Sequence, residues 1–424
     1  MPTPSLLIVP ARFKSGKLYS QIPTSGAGDF TVTRATTATR VNASGLIESV
    51  ASGIPRLDYF SIDGTVGCPA LLVEPAAQNL ALQSENFLTT WTNTSLVITS
   101  GFTSPSNNSN GTLIEASANT GRLRQPFAAI TSGTTHTFSL FAEAGNLALA
   151  SGVSLVFQEG TATNFVSGVV QSFRLDTGTL GASGTLGAGF TLTRASIEDY
   201  GNGWYRCSMT VTVSYTPASA NISIRPTSTI VSNLPATVSG GTAYIWGAQL
   251  ETGSVATSYI PTTTAAVPRN ADVVSVSGAV SGSIGQTEGT IYAEFEIRSD
   301  TTTRRLFALS DGTQTNRVFL YYASNALRAQ IQSTSVSLGN PTDGYHKVAF
   351  AYQQSGVSGT LFASLDGGAV VSGTTAGTFP ASLTTINIGK IEDTNATSLW
   401  NSRIRAVALY TTRLTNDQLQ ALTT

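Results

Sequence analysis

The chain has 424 residues, of which 41% are hydrophobic and only 11% charged, with 23 Lys plus Arg against 24 Asp plus Glu and a formal net charge of −1. So even a balance gives no electrostatic footprint for nucleic acid, and ordinary hydrophobicity at low net charge excludes a disordered chain. Cys68 and Cys207 are the only cysteines, too few and too far apart for a disulfide framework or a zinc cluster.

The first 33 residues hold short apolar pieces, flexible joints and the cations Arg12, Lys14 and Lys17. PSLLIVP is too short for a secretory leader and no basic residue precedes it, and no apolar run reaches the length of a membrane span. The expectation is synthesis and assembly in a cytoplasm. Residues 34–92 show no helical period, contain Pro55, Pro69 and Pro75, and scatter their apolar residues through a long irregular run. Together with the start of the chain this reads as an extended arm, residues 1–85, that wraps over something else. Arg12, Lys14, Lys17, Arg34 and Arg40 stand out as cations that would dock on an acidic protein surface, or simply form a solvated face.

This stretch resembles one found in tailed-bacteriophage virion proteins. The residues that carry the resemblance are Arg34, Ala38 to Asn42, Gly45 to Glu48, Pro55 to Tyr59, Cys68 to Pro75, Asn79, Leu80, Ser84, Glu85, Phe87 and Trp91. It implies a fibre or appendage component of a virion, without saying which appendage.

From residue 86 to 262 the pattern becomes β-sheet. Tyr205 to Tyr215 alternates strictly, with apolar or aromatic residues at odd positions and polar ones at even, which marks a half-buried strand; Cys207 shares its apolar face with Met209 and Val211. Asp176-Thr-Gly178 and Gly201-Asn-Gly203 punctuate neighbouring strands, and short strands so spaced point to a sandwich or jelly roll. The segments 199–213 and 244–262 resemble the carbohydrate-binding-module type of jelly roll. Residues 261–268 read as a linker. Beyond it, strands and the tight-turn pairs Asp311-Gly312 and Asp366-Gly367 build a third part, residues 275–424, which resembles concanavalin-A-like, laminin-G-like domains in the segments 344–352, 365–368, 385–390 and 403–422. Thr415 and Gln418 form a capping box for a last short helix. The fold class is all-β: an arm followed by two β-sandwich (jelly-roll) domains.

Catalytic constellations are scarce. His136 and His346 both fall on strands and read as structural, so a hydrolytic triad lacks its base. Glu198/Asp199 and Glu294/Glu296 are the only acid clusters to weigh for glycoside hydrolysis; 294 and 296 lie opposite the apolar face of their strand and are expected to be solvent-exposed. Lys14-Ser-Gly-Lys17 lacks the frame of a phosphate loop. The resembled families sometimes carry a structural calcium, for which Glu251 and Asp272 are the candidate ligands; no other cofactor is expected. Exposed aromatics with planar polar partners are how a β-sandwich grips sugars, and Arg317, Tyr321, Tyr322 and Trp400 are the candidates, although alternation sends one of the two tyrosines into the core.

The expectation is therefore a non-enzymatic virion structural protein, a tail fibre or tail-tip subunit, attached through its N-terminal region and presenting sandwiches for host-surface recognition, with glycans as the expected target. Its expected partners are itself, as a homotrimer, other virion proteins and host polysaccharide. A head fibre or capsid-decorating protein, and a secreted lectin-like or enzyme-accessory module, are the alternatives.

Overall fold

A computed structural model describes residues 1–424 except 61–67, 128–129, 147–151, 161–164, 228, 232–233, 279, 299–301, 376 and 393–397. Its secondary structure is almost wholly antiparallel strand, as the composition led one to expect. The one α-helix among the described residues, Asn416–Thr423, is too short to cross a membrane. It begins at the capping box read from sequence: Gln418 N donates to Thr415 Oγ1 at 3.3 Å and Thr415 N donates to Gln418 Oε1 at 2.9 Å.

The middle of the chain forms a sandwich of two six-stranded sheets. One runs in the order Thr92–Thr94, Arg122–Phe127, Ala220–Thr227, Gly152–Gly160, Phe165–Arg174, Thr179–Leu186; the other Leu96–Phe102, Gly111–Ala116, Thr242–Thr252, Thr135–Ala144, Trp204–Val213, Phe190–Asp199. Phe138, Leu140, Phe157, Cys207, Met209 and Val211 fill the space between them. The alternation along Trp204–Val213 is real, but its polar face is buried too: Arg206, Ser208 and Thr210 are covered. The chain after Thr242–Thr252 turns back across that face, and Thr210 Oγ1 donates to Ser254 O at 3.1 Å.

The second sandwich is where expectation and structure part. Its eight-stranded sheet runs Val371–Thr374, Ser358–Leu365, Gly344–Ser355, Glu288–Ile297, Ser402–Tyr410, Ala70–Val73, Leu57–Asp58, with Leu6–Ile8 also paired to Ser402–Tyr410. Its nine-stranded sheet runs Phe13–Lys14, Lys17–Leu18, Phe30–Thr33, Val273–Ser277, Thr385–Ile388, Arg304–Ser310, Arg317–Ala323, Ala326–Ile331, Thr334–Ser337. Residues 1–85 are thus not an extended arm. Leu6 opposes Leu409, Val32 opposes Val274 and Leu71 opposes Ile404, and Leu6, Leu18, Phe30, Leu57 and Val73 share one core with Phe295, Phe307 and Phe350. The contributed strands are only two to four residues long, too short for a period of two to be visible, and Leu6–Ile8, Phe30–Thr33 and Ala70–Val73 find partners hundreds of positions away.

The stretch read as a linker is also pinned. Val267–Arg269 pairs with Ala77–Asn79, and Thr262 is buried. Ala38–Val41 and Ile47–Val50 form a hairpin whose Ile47 packs on Phe141, Trp204, Trp246 and Tyr259, an aromatic patch on the outer face of the first sandwich.

Candidate functional site

Of the residues quoted for the virion-protein resemblance, Arg34, Ala38 to Asn42, Gly45 to Glu48, Arg56, Asp58, Glu74, Asn79, Ser84 and Glu85 lie at or beside the junction of the two sandwiches, while Phe87 and Trp91 belong to the core of the first and Leu57, Leu71 and Val73 to that of the second. In the hairpin, Asn42 Oδ1 accepts from Ser44 N and Leu46 N, and Gly45 sits at φ +76, a left-handed position that glycine adopts without steric cost. Arg40 donates to Glu48 across the strands at 2.7 Å, and Asn42 donates to the other oxygen of Glu48. Asn, Gly, Arg and Glu in this stretch are therefore the parts of one turn.

Below the hairpin lies a buried ionic cluster. Arg56, fully buried, donates to Glu74 at 2.7 Å and to Ser258 Oγ at 2.7 Å, and pairs with both oxygens of Asp272. Arg34 reaches the same Asp272 at 2.9 Å, and Arg269 reaches Glu74 at 3.1 Å. Burial pushes the Glu74 carboxyl upward, but Arg269 and Arg56 outweigh it and hold the group well below the ordinary carboxylate range. A second cluster adjoins it. Arg403 donates to Asp58 at 2.7 Å and to Glu296 at 2.8 Å, while Arg298 lies 3.5 Å from Glu296 and 3.1 Å from Glu198 of the first sandwich. Burial would raise Glu296, yet Arg298 and Arg403 hold it down at about 2. Between the clusters is a polar cavity of about 30 Å³, lined among others by Asp58, Glu74, Arg206, Arg298 and Arg403.

Asn79 and Ser84 extend the junction into the first sandwich. Asn79, fully buried, donates to Ala248 O and Ile260 O and accepts from Ala81 N and Leu250 N. Ser84 Oγ and Glu85 Oε1 both meet the Tyr259 hydroxyl.

Against this geometry the sequence candidates divide sharply. Arg34 is no surface cation, because Asp272 and the carbonyls of Thr36, Ile54, Val50 and Ala51 occupy its guanidinium. Arg40 is engaged by Glu48. Arg12 and Lys14 are exposed and Lys17 half-exposed, all three at the edge of the nine-stranded sheet, where Arg12 and Lys14 lie over the Tyr19 ring. Tyr322 and Trp400 are core residues, 2% and 3% exposed, and Trp400 packs edge-on against Phe295; neither can stack on a sugar. Arg317 and Tyr321 are half-buried on the outer face of their sheet around Phe319, with Arg317 4.6 Å above the Phe319 ring.

The calcium candidates do not meet the need either. Asp272 is surrounded by arginines that already supply the positive charge, and buried Glu251 accepts from Gln249, Thr257 N and Thr257 Oγ1. No group of three or more His, Cys, Asp or Glu is placed to hold a metal among the described residues. His346 sits between Asp366 and Thr342 O, and His136 is buried beside Thr134. Glu296, expected in solvent, is completely buried because the first sandwich covers that face. A carboxyl held at about 2 stays ionised near neutrality and cannot serve as a general acid there.

Sequence reasoning missed Arg56, Asp58, Glu74, Arg269, Arg298 and Arg403 as partners. One signal was available: single charges embedded among apolar residues, as in Leu71-Leu-Val-Glu-Pro75 and Ile404 beside Arg403, in a chain with few charges to spend on its interior.

No protein-family model and no curated protein matches the chain. Similar solved structures include the CBM40 of the Ruminococcus gnavus IT-sialidase bound to alpha2,6 sialyllactose, at 15% identity over 34% of this chain and 88% of that one, TM-score 0.30. The NanB sialidase of Streptococcus pneumoniae matches at 14% identity over 35% of this chain and 26% of that one, TM-score 0.28. Domains LG4-5 of the mouse laminin alpha1 chain match at 11% identity over 78% and 95%, TM-score 0.23. The likeness is one of β-sandwich architecture alone.

Proposed function

We propose that the chain is a non-catalytic structural subunit of a tailed-bacteriophage particle, in a tail fibre or tail-tip appendage, whose sandwiches face the host surface and recognise glycan there. One observation carries this reading. Arg34, Arg56, Asp58, Glu74, Asn79, Ser84 and Glu85, the residues of the virion-protein resemblance, come together in the buried junction that joins the two sandwiches. Their contact supports reading the resemblance as one of a structural unit. A low surface charge, which leaves a free protein little solubility margin, fits life inside an assembly.

Attachment falls to Arg12, Lys14 and Lys17 on the open edge of the nine-stranded sheet, since Arg34 and Arg40 are consumed internally. A homotrimer is the expected state, because several weak surface contacts add to firm adhesion only when copies act together. The test is mass spectrometry and cryo-electron microscopy of gradient-purified particles produced by the genome that encodes the chain. Several copies in an appendage, with the sandwiches pointing outward, are expected. Particles that lack the chain overturn the reading.

A further inference from the structure

A second opening at the junction is wider than the buried cavity. It has a volume of about 370 Å³ and is walled by strand Phe190–Asp199 and the Thr177–Gly178 turn on one side, and by Ile297, Arg298 and Asp343 of the second sandwich on the other. Two ion pairs span it: Arg298 with Glu198 at 3.1 Å, and Arg194 with Asp343. The walls are therefore fixed before any ligand arrives, which spares binding the cost of ordering them. Arg194, Ser196 and Glu198 alternate along one strand and so line the cleft from the same face.

The charges decide the ligand class. The cleft carries Arg194 and Arg298 against Glu198, Asp199 and Asp343. Each guanidinium already has a carboxylate, so a ligand carboxylate or phosphate would meet excess negative charge and no unpaired cation. What remains available is hydrogen-bonding capacity. Asp199 Oδ1 accepts from Gly201 N, leaving its second oxygen. Arg298 is spent on Glu198 and Glu296, and its Nη2 is buried, so it holds the wall and offers the opening no free donor. The Tyr205 hydroxyl makes no hydrogen bond to described protein atoms, and burial, Asp199 and Asp176 together push its pKa up, keeping it protonated as a donor. Gly178, at φ +63, lets its turn lie against the Tyr205 ring; a Cβ there would come within 2.7 Å of Cε1. An acceptor, a donor and an aromatic ring at one concave opening suit a polyhydroxylated ligand.

We propose that this inter-sandwich cleft binds an uncharged saccharide, with Asp199 and Tyr205 meeting its hydroxyls and Arg298 holding the wall. The proposal rests on the reading of the chain as a glycan-recognising appendage, and it moves recognition away from Arg317 and Tyr321.

The experiment titrates the full chain with maltotriose, cellotriose, mannotriose and 3′-sialyllactose, detecting contact by saturation-transfer NMR and affinity by calorimetry, in wild type, D199N, T177W and Y321A. At least one neutral trisaccharide should bind in preference to sialyllactose. D199N, which keeps shape and removes the acceptor charge, and T177W, which fills the mouth from an exposed position, should each weaken it at least tenfold, while Y321A leaves it unchanged. Circular dichroism confirms that the variants fold. Neutral binding that survives D199N and T177W, preference for sialyllactose, or no binding at all overturns the cleft. The appendage reading stands or falls separately, on whether particles contain the chain.

Discussion

At the scale of single residues, the most consequential groups are charges that solvent never reaches. Removing one partner of a buried ion pair leaves the other uncompensated, at a cost of about 3–5 kcal/mol. Arg56 serves two carboxylates, Glu74 and Asp272, so Arg56→Met should destabilise by at least that much, read as a lowered midpoint in urea unfolding; a change below about 1 kcal/mol would contradict the account. The same groups set the acid limit. Glu296 is held at about 2 and Glu74 is also depressed, whereas in the unfolded chain each titrates near the ordinary value of 4.5. The unfolded state therefore binds protons first, and the stabilisation these groups give is fully present above about pH 4.5 and lost as pH falls toward 2. Unfolding midpoints measured from pH 6 to 2.5 should fall steeply below 4.5, and less steeply in a Glu296→Gln variant. Little of this was legible in the sequence. Arg34 looks like one more cation of a basic N-terminal region because its partner Asp272 is 238 positions away; in contrast, Cys207 as an apolar core residue needed only its own strand to be read.

At the scale of elements, legibility follows the range of the interactions. The strand Trp204–Val213 and the capping box at Thr415 depend on neighbours in sequence, and both were readable. Leu6–Ile8, Phe30–Thr33 and Ala70–Val73 depend on partners at the far end of the chain, so an irregular run with scattered Leu and Val looked like an arm. The consequence bears on truncation. Deleting residues 1–60 would remove Leu6, Leu18, Phe30 and Leu57 from the second sandwich's core and uncover the edge of Ser402–Tyr410 beside Leu6–Ile8. Burying a Leu or Phe contributes about 1.5–3 kcal/mol each, and four such losses approach or exceed the total stability of a typical domain. The truncated chain should therefore be insoluble or lack a folded second sandwich, even before particle assembly is asked about. Leu6→Asp is the milder probe and should lower the unfolding midpoint, with hydrogen-exchange protection falling first in the strands that pack on Leu6. A soluble truncation with native exchange protection in residues 275–424 would sink this argument.

At the scale of the whole molecule, the two sandwiches are joined by more than a tether. Glu74 accepts from Ser258 N and Oγ at 2.7 and 2.6 Å, Thr39 donates to Tyr259 O at 2.5 Å, Arg298 pairs with Glu198, and Ile47 closes over the Phe141–Trp246–Tyr259 patch. Opening that junction would expose an aromatic cluster to water and strand several buried charges, each a cost of kcal/mol order. A unit in which neither half can unfold without stranding charge in the other should behave cooperatively. Differential scanning calorimetry of the full chain should then show a single transition with matching calorimetric and van't Hoff enthalpies. The double variant Arg298→Ala with Ser258→Ala, which cuts two of the bridges and leaves both cores intact, should broaden or split it. Two resolved transitions in the wild-type chain would mean that the junction does not couple the sandwiches, and that the resemblance-bearing residues serve only the local stability of the segment they occupy.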